Sequence, residues 1–266
     1  MSGRSRRGAE PGRRTRLLFG FHVLAARLRS RPGSVLEVMV VRGRDDARLR
    51  NLVALAGARG VRVLEVEAEH LDSLFPAQRH QGVGARVEED GAPADLHQLL
   101  DAVPGAPLLL ALDGVQDPHN LGACLRSADA LGAHAVVAPR DRAVGITPVV
   151  EKVASGATET VPYVAVVNLA RELDELRDRG LLVVGLAGEA TRTLASQDLR
   201  GPVVLVMGAE GSGLRRLTRE RCDVLARIPM AGTVESLNVS VAAGICLYEA
   251  ARQRGTASAG AEATLA

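Results

Sequence analysis

The 266-residue sequence contains few aromatic residues, few cysteines and a single lysine, which excludes several kinds of site. Aromatic residues make up only 2% and tryptophan is absent, which argues against an aromatic stacking platform for single-stranded nucleic acid. The three cysteines, Cys124, Cys222 and Cys246, are far apart and form no CxxC pair, which argues against a zinc site and favours a reducing compartment. Lys152 is the only lysine, so arginine carries nearly all the positive charge, and its planar guanidinium suits phosphate recognition.

Long apolar runs are also missing from the sequence. No stretch approaches the roughly 18 consecutive apolar residues that a membrane helix needs. Residues 1–16 are basic but lack the apolar segment of a secretory signal. We therefore expect a cytoplasmic protein with no membrane partner and no metal. The formal net charge is only +2, so contacts with nucleic acid would depend on local arginine clusters, which solvated helix faces explain equally well.

The order of predicted elements indicates an α/β protein with two folded domains. A small domain at residues 17–88 is predicted to begin with a helix at 17–30, followed by three strands and a second helix. A larger domain at residues 107–254 alternates strands and helices around a parallel sheet, in which ligands bind at the carboxyl ends of the strands. The remaining segments are a basic extension at 1–16 and a tail at 255–266, both predicted to be disordered, and a linker at 89–106 with room for one short helix.

The first segment whose residues could take part in binding or catalysis is the NxGxxxR pattern of Asn120, Gly122 and Arg126. It follows an apolar strand that ends at Asp113. We expect Asn120 in the loop or at the helix N-cap, where an amide oxygen satisfies backbone N–H groups. Arg126 stands among small apolar residues that resemble packing positions, so it either carries a burial cost or meets an anion. The alternative is an ordinary surface arginine.

The second segment is MGAEGSGL, in which a strand runs into Gly208, Glu210, Gly211 and Gly213. Glycines after a strand let the backbone approach a ligand. The segment is neither a Walker loop nor a GxGxxG dinucleotide loop, and the carboxylate of Glu210 would repel a polyanion. It better suits a ligand with hydroxyl groups or positive charge, and a simple glycine turn is the alternative.

The third segment, IPMAGTVESLNVSVAAG, places polar side chains before a helix of small residues predicted from about residue 236 to 253. Ser236 is the expected N-cap, which leaves Asn238 without a structural explanation. The three strand ends together predict a pocket built largely from backbone, for a ligand that is partly apolar and partly hydroxylated.

These three motifs, in this order, resemble those of the SpoU (TrmH-like) family of RNA ribose 2'-O-methyltransferases over about residues 17–253. DGVQDPHNLGACLRSADALGAHAVV and VMGAEGSGLRRLTRERCD are especially similar to bacterial members that methylate a guanosine ribose in the peptidyl-transferase region of 23S ribosomal RNA. The resemblance implies a SPOUT fold with a trefoil knot, a small RNA-binding domain before it, S-adenosylmethionine as cofactor, and a homodimer with 23S ribosomal RNA as partner.

The resemblance also implies roles for individual residues. The following are expected in catalysis: Asn120, Arg126, Glu210, Ser236 and Asn238. Those expected to hold the cofactor are Gly208, Ala209, Glu210, Gly211, Ile228, Met230, Ser236, Leu237 and Asn238. Arg126 is more readily assigned to positioning RNA phosphate than to accepting a proton, because guanidinium keeps its proton to a pKa above about 12. A methyltransferase for transfer RNA, a resistance methylase for another 23S site and a non-enzymatic ribosome-assembly factor remain alternatives.

Overall fold

A computed structural model describes residues 14–76, 78–89 and 95–255. The chain divides into two compact units, Met1–Ala92 and Pro93–Ala266. The division lies within the segment predicted as a linker. Residues 1–13 of the basic extension and 256–266 of the tail lie outside the described residues, so the predicted disorder there is untested.

In its described residues, the first unit is a four-stranded mixed sheet with three α-helices. Its elements in chain order are β1 (Thr15–Phe19), α1 (Phe21–Ser30), β2 (Val35–Val41), α2 (Ala47–Ala58), β3 (Val63–Val66), α3 (Ala68–Leu74) and β4 (Val83–Glu88). The strand order is β1-β4-β2-β3; β2 and β3 run parallel and the other two pairs antiparallel. Apolar side chains from one sheet face, α1 and α2 form its main core.

The helix predicted at residues 17–30 is wrong at its beginning. Thr15 to Phe19 form β1, which pairs with β4, and Gly20 separates this strand from α1 with a φ of 87°. Such a φ is readily adopted by glycine and ends a helix or strand locally. Thr15 and Arg16, which the prediction assigned to the disordered extension, are therefore the first residues of the sheet.

The second unit contains a seven-stranded parallel sheet in the order β7-β6-β5-β10-β8-β11-β9. Its strands are β5 (Leu108–Asp113), β6 (Ala135–Pro139), β7 (Tyr163–Val166), β8 (Leu182–Leu186), β9 (Arg192–Thr193), β10 (Val203–Gly208) and β11 (Val224–Arg227). Its helices are α4 (Leu96–Ala102), α5 (Pro118–Ala130), α6 (Pro148–Ala154), α7 (Leu169–Asp178), α8 (Arg216–Glu220) and α9 (Val239–Gln253). The predicted α/β class with a parallel sheet is confirmed.

The central strands β5 and β10 are buried along their length because helices cover both faces of the sheet. Continuous apolar runs are typical of such strands. α9 contributes Ala243, Cys246 and Leu247 to the core on one face, next to α5. The last helix of the described residues is therefore an integral part of this unit.

Arg254 fixes the end of α9 to the beginning of the sheet. Its guanidinium donates to the carbonyl oxygens of Ala106 (2.8 Å), Pro107 (3.1 Å), Leu199 (2.9 Å) and Gly201 (2.6 Å). These carbonyls precede β5 and β10. Burial lowers the pKa of Arg254 from its ordinary value, and the four acceptors satisfy the charge at the edge of the sheet opposite the strands' carboxyl ends.

Candidate active site

The carboxyl ends of β5 and β10 lie side by side, since Gly208 pairs with Asp113 in the register of the two strands. The loop that follows each strand therefore leaves from the same edge of the sheet. Parallel α/β sheets bind their ligands at this edge. The first two sequence motifs meet here as predicted.

The loop after β10 closes on itself immediately after Gly208. Ala209 and Gly213 exchange two backbone hydrogen bonds, of 3.2 and 2.9 Å. A Cβ atom at Gly208 would lie 2.1 Å from the carbonyl carbon of Gly213, a distance at which one of the two segments must move. The turn also uses Gly211 and Gly213 with φ of 77° and 65°, so the glycines of the second motif are required by its geometry.

Glu210 joins all three motifs through one carboxylate oxygen. Its Oε1 accepts hydrogen bonds from Nδ2 of Asn120 (3.4 Å), from Nδ2 of Asn238 and from the backbone N–H of Val239 (3.3 Å). Asn238 Nδ2 also donates to Asn120 Oδ1 at 2.9 Å. We call Asn120, Glu210 and Asn238 the carboxamide–carboxylate hub. It connects Asn120 to two residues that follow it by 90 and 118 positions in the sequence.

Two capping assignments differ from the sequence prediction. α5 begins at Pro118 and its N-cap is Asp117, whose carboxylate accepts from the backbone N–H of His119 at 2.8 Å. The prediction that Asn120 lies in the loop or at the N-cap is therefore wrong. Asn120 lies in the first helical turn, only 8% exposed, where its side chain is committed to the hub.

α9 begins at Val239 and is capped by Asn238, so the predicted N-cap role of Ser236 is also wrong. The Oδ1 atom of Asn238 accepts from the backbone N–H of Ser240 at 2.9 Å and from its hydroxyl at 2.6 Å. Asn is as good an N-cap as Ser. One Asn238 side chain thus caps the helix with its oxygen and holds the hub with its nitrogen.

A cavity of about 460 Å³ opens beside the hub. Eight of the nine residues expected to hold a cofactor line it, and Asn238, the ninth, adjoins it through the hub. The eight expected cofactor residues that line the cavity are Gly208, Ala209, Glu210, Gly211, Ile228, Met230, Ser236 and Leu237. Ser236 is exposed and borders the cavity.

The sequence prediction missed the wall formed by residues 186–189, at the carboxyl end of β8. The glycine and acid after the strand LLVVGLAG carried the same signal as the second motif, a glycine next to a carboxylate. Glu189 in this wall accepts a hydrogen bond from Arg219, which lowers the pKa of the Glu189 carboxyl. Three carboxylates and one arginine line the cavity, namely Glu189, Glu210, Glu235 and Arg227.

Arg126 does not join the hub. It lies on the exposed side of α5, and within the described part of the chain its side chain makes no hydrogen bond or ion pair. The apolar neighbours that made it resemble a packing position, including Cys124, Leu125 and Ala128, face the core instead. The alternative of a burial cost is therefore wrong, and the exposed position fits both an ordinary surface arginine and a cation available to an external anion.

An ion pair between a buried aspartate and an exposed arginine was also missed. Asp113 is 1% exposed, and its carboxylate accepts from the backbone N–H (2.8 Å) and Nε (2.6 Å) of Arg215. Arg215 was not among the predicted site residues. The pair fixes the residue after the second motif against the end of β5, which helps to hold the loop closed.

One group in the described residues has the composition of a metal site, away from the cavity. His97 on α4 lies 3.4 Å from Glu172 and 3.2 Å from Glu175, both on α7. Burial raises the pKa of Glu172, and Arg171 pairs with Glu175 at 2.9 Å. None of these residues was among the predicted site residues, and the expectation of no metal stays a prediction. In the described part of the chain, no helix is long and apolar enough to span a membrane.

Comparison with known proteins gives two family matches. Residues 107–248 match the SpoU rRNA Methylase family, and residues 17–91 match the RNA 2'-O ribose methyltransferase substrate binding domain. Among similar proteins, the 23S rRNA (guanosine-2'-O-)-methyltransferase RlmB of Ralstonia nicotianae is 56% identical over 241 residues, covering 91% of this chain and 97% of that protein. RlmB of Pseudomonas syringae pv. tomato is 54% identical over 239 residues, covering 89% and 95%.

Solved structures agree with the sequence matches. The SpoU methyltransferase AviRb from Streptomyces viridochromogenes, in complex with AdoMet, is 26% identical with a TM-score of 0.71, covering 91% of each chain. An AdoMet-bound rRNA methyltransferase from Sinorhizobium meliloti is 28% identical with a TM-score of 0.66, covering 90% of this chain and 87% of that one. The order of the motifs, the architecture of both units and these matches agree, and the chain belongs to the SpoU rRNA methylase family.

Proposed function

We propose that the protein transfers the methyl group of S-adenosylmethionine to the ribose 2'-hydroxyl of a guanosine in 23S ribosomal RNA. The observation that carries this proposal is the hub, through which Glu210 holds all three motifs around one cavity. The relatives at 56% identity with matching length carry this activity in their names. The cytoplasm, where such RNA is found, is the proposed location.

The cavity fits S-adenosylmethionine by its chemistry. Apolar side chains such as Ile228 and Leu237 suit an adenine ring, and the turn after Gly208 supplies backbone polar groups. The lining has three carboxylates and one arginine, which suits a ligand with sulfonium and ammonium charges better than a polyphosphate. When bound, S-adenosylmethionine supplies an activated methyl group. The knotted path of the family stays a prediction for this chain.

The hub leaves two polar positions for the substrate. Within the described residues, Oε2 of Glu210 and one N–H of Asn120 have no hydrogen-bond partner. They are an acceptor and a donor, which together suit a ribose hydroxyl. We assign Asn120 and Glu210 to positioning this hydroxyl, Asn238 to holding the motifs together, and Ser236 to the border of the cavity. Fixed geometry of this kind lowers the activation barrier for methyl transfer, because the reacting groups are already oriented when the substrate is bound.

Arg126 is assigned to the RNA phosphate. It is exposed and free of carboxylate partners in the described residues, and it lies on α5, the helix that also carries Asn120. A guanidinium binds phosphate through two parallel hydrogen bonds. The first unit, which matches a substrate-binding domain, is assigned to selecting the RNA. A phosphate-dominated contact makes the affinity strongly salt-dependent.

The proposal includes a homodimer. Val241, Ile245 and Tyr248 on α9 are 50%, 39% and 53% exposed, and their spacing puts them on one face of the helix. α9 uses its opposite side for the core and α5. An apolar stripe on an otherwise buried helix is typical of a self-association surface.

The test is methyl transfer from labelled S-adenosylmethionine to separated 23S, 16S and transfer RNA, with the modified nucleotide mapped. We expect label at one guanosine ribose of 23S RNA. Label in transfer RNA instead would retain the chemistry and overturn the substrate. An absence of label in every pool, with measurable cofactor binding, would favour an RNA-binding assembly factor over an enzyme.

A further inference from the structure

The loop after β6 lies at the same edge of the sheet as the hub. β6 is the neighbour of β5 and runs parallel to it, so residues 140–142 leave the sheet beside the first motif. A Cβ atom at Gly114 would lie 3.9 Å both from the carbonyl oxygen of Arg142 and from Cβ of Ala209. The carbonyl oxygen of Arg142 therefore lies no farther than twice 3.9 Å from Cβ of Ala209, which lines the cavity.

The loop is anchored on both sides of its exposed tip. The backbone N–H of Arg140 donates to the carbonyl of Val166 at 2.7 Å. The backbone N–H of Val144 donates to the carbonyl of Val115 at 3.0 Å, and the hydroxyl of Tyr163 donates to the carbonyl of Val144 at 2.9 Å. The tip between Arg140 and Val144 is thus held in place by the first-motif loop and by β7.

The tip presents two arginines without partners. Arg140 and Arg142 are exposed, and their side chains make no hydrogen bond or ion pair within the part of the chain that the structure describes. Two exposed arginines elsewhere in this unit do have carboxylates close by: Arg171 pairs with Glu175 and Arg200 with Asp198. The carboxylate between the two arginines, Asp141, is exposed and pairs with neither of them.

The backbone at Arg142 has a φ of 61°, a left-handed conformation that non-glycine residues rarely adopt. Such conformations persist where the surrounding structure enforces them, and they concentrate at functional sites. Here the anchors at Arg140 and Val144 enforce the turn. An arginine kept in this position, without a carboxylate partner, is available to a ligand rather than to the fold.

We propose that Arg140 and Arg142 bind phosphates of the RNA that flank the nucleotide to be methylated, and so act as positioning residues for the proposed reaction. This inference rests on the proposed function, since it takes the hub as the place where the ribose is held. Two guanidinium groups on an anchored loop at that edge suit successive phosphodiesters.

The test compares the wild-type chain with the double variant Arg140→Gln, Arg142→Gln. We expect the double variant to bind a 23S ribosomal RNA transcript roughly ten-fold more weakly, because it loses two charge-assisted phosphate contacts. The slope of log affinity against log salt should decrease by about 1.5, since each phosphate contact contributes roughly 0.7 to 0.9. The KM for RNA should rise, while the dissociation constant for S-adenosylmethionine stays unchanged.

Two single variants are the controls. Arg171→Gln removes an exposed, paired arginine on α7 and should leave RNA affinity and salt slope unchanged. Asp141→Asn keeps the loop and removes its negative charge, so RNA should bind equally well or more tightly. If Asp141→Asn weakens binding as much as the double variant does, loop shape and not charge is responsible, and the inference is wrong.

The outcomes separate this inference from the proposed function. If the wild type methylates 23S RNA and the double variant matches it in RNA affinity, KM and salt slope, the inference fails alone. If the wild type methylates no RNA but the double variant still loses affinity and salt slope, the proposed function fails and the phosphate contact stands.

Discussion

At the scale of single residues, the carboxylate of Glu210 joins the three motifs through hydrogen bonds. Glu210 satisfies two amide side chains and one backbone N–H through a single oxygen. The sequence identified Asn120, Glu210 and Asn238 through the family resemblance, but it could not give their mutual contacts. Those contacts depend on where the first turn of α5 and the start of α9 meet the loop after β10, which no local pattern specifies.

Replacing Glu210 should therefore affect turnover more than folding. Glu210→Ala leaves Asn120 and Asn238 without their shared acceptor, and we expect methyl transfer to fall at least roughly 100-fold, the size of effect that a lost fixed polar contact has in catalysis. Radiolabel transfer measures it, with circular dichroism to check the fold. Glu220→Ala, which removes an exposed carboxylate that pairs with Arg216, is the matched control. Equal activity of the two variants would contradict the role of the hub.

Arg126 is a second residue whose replacement separates binding from folding. Because it is exposed and has no partner among the described residues, Arg126→Ala should leave the melting temperature within about 1 °C of wild type and abolish transfer, with cofactor affinity nearly unchanged. Thermal melts, calorimetric titration and the transfer assay measure the three quantities. Arg192→Ala, at an exposed edge position, is the control. Loss of the fold in Arg126→Ala would remove this residue from the proposed machinery.

At the scale of elements, the sequence predicted the strands of the parallel sheet well and their surroundings less well. β5 and β10 were predicted because a strand covered on both faces needs a continuous apolar run. β1 was merged into α1, because its apolar residues suit a helix equally and only pairing with β4 decides between them. α8 is one and a half turns long and too short to carry a periodic signal.

The element that most strictly limits substitution is the turn after β10. Gly208→Ala would place a Cβ atom against the backbone of Gly213, so the turn must open and the cavity wall formed by Ala209 and Glu210 must move. We expect cofactor affinity to fall at least roughly ten-fold, measured by calorimetric titration.

The control for this substitution is Gly201→Ala, two residues before the same strand. A Cβ atom at Gly201 meets nothing within 4 Å. Its cofactor affinity should equal that of wild type. Equal loss in the two variants would show a general effect on β10 instead of a specific effect on the turn.

At the scale of the whole molecule, the thiols report on the integrity of the second unit. Burial raises the pKa of Cys124, Cys222 and Cys246 to about 12 each. The native protein should react slowly with a thiol reagent at pH 8, because the thiolate is the reactive form. All three should react once guanidinium unfolds the chain, as absorbance of the released chromophore would measure. Rapid reaction of Cys124 or Cys246 in the native state would contradict their burial.

The same cysteine pKa shifts determine how the free energy of unfolding changes with pH. An unfolded thiol ionises near its ordinary pKa of about 8.5, whereas the folded thiols stay protonated to about 12. Between these values the unfolded state has fewer bound protons, so the free energy of unfolding decreases as the pH rises. Replacing Cys124 and Cys246 with Ala or Ser should reduce this dependence to the contribution of Cys222, with some loss of core packing.

The proposed homodimer gives another whole-molecule prediction. Ile245→Asp places a charge in the apolar stripe of Val241, Ile245 and Tyr248, and we expect the assembly to dissociate into monomers. Light scattering coupled to size-exclusion chromatography measures the mass. Val53→Asp changes an exposed apolar residue of similar size on α2 and should leave the mass of the wild type unchanged. A wild-type chain that is monomeric at micromolar concentration would overturn the dimer itself.

The position of α9 determines when the second unit can fold during synthesis. The helix is the last described element, yet it completes one face of the core, supplies Asn238 to the hub and closes on the sheet through Arg254. A growing chain that has not released this segment from the ribosome has neither a finished core nor a joined set of motifs. The activity therefore requires that α9 has been synthesised and has packed, and a chain interrupted before α9 exposes apolar surface without acquiring function.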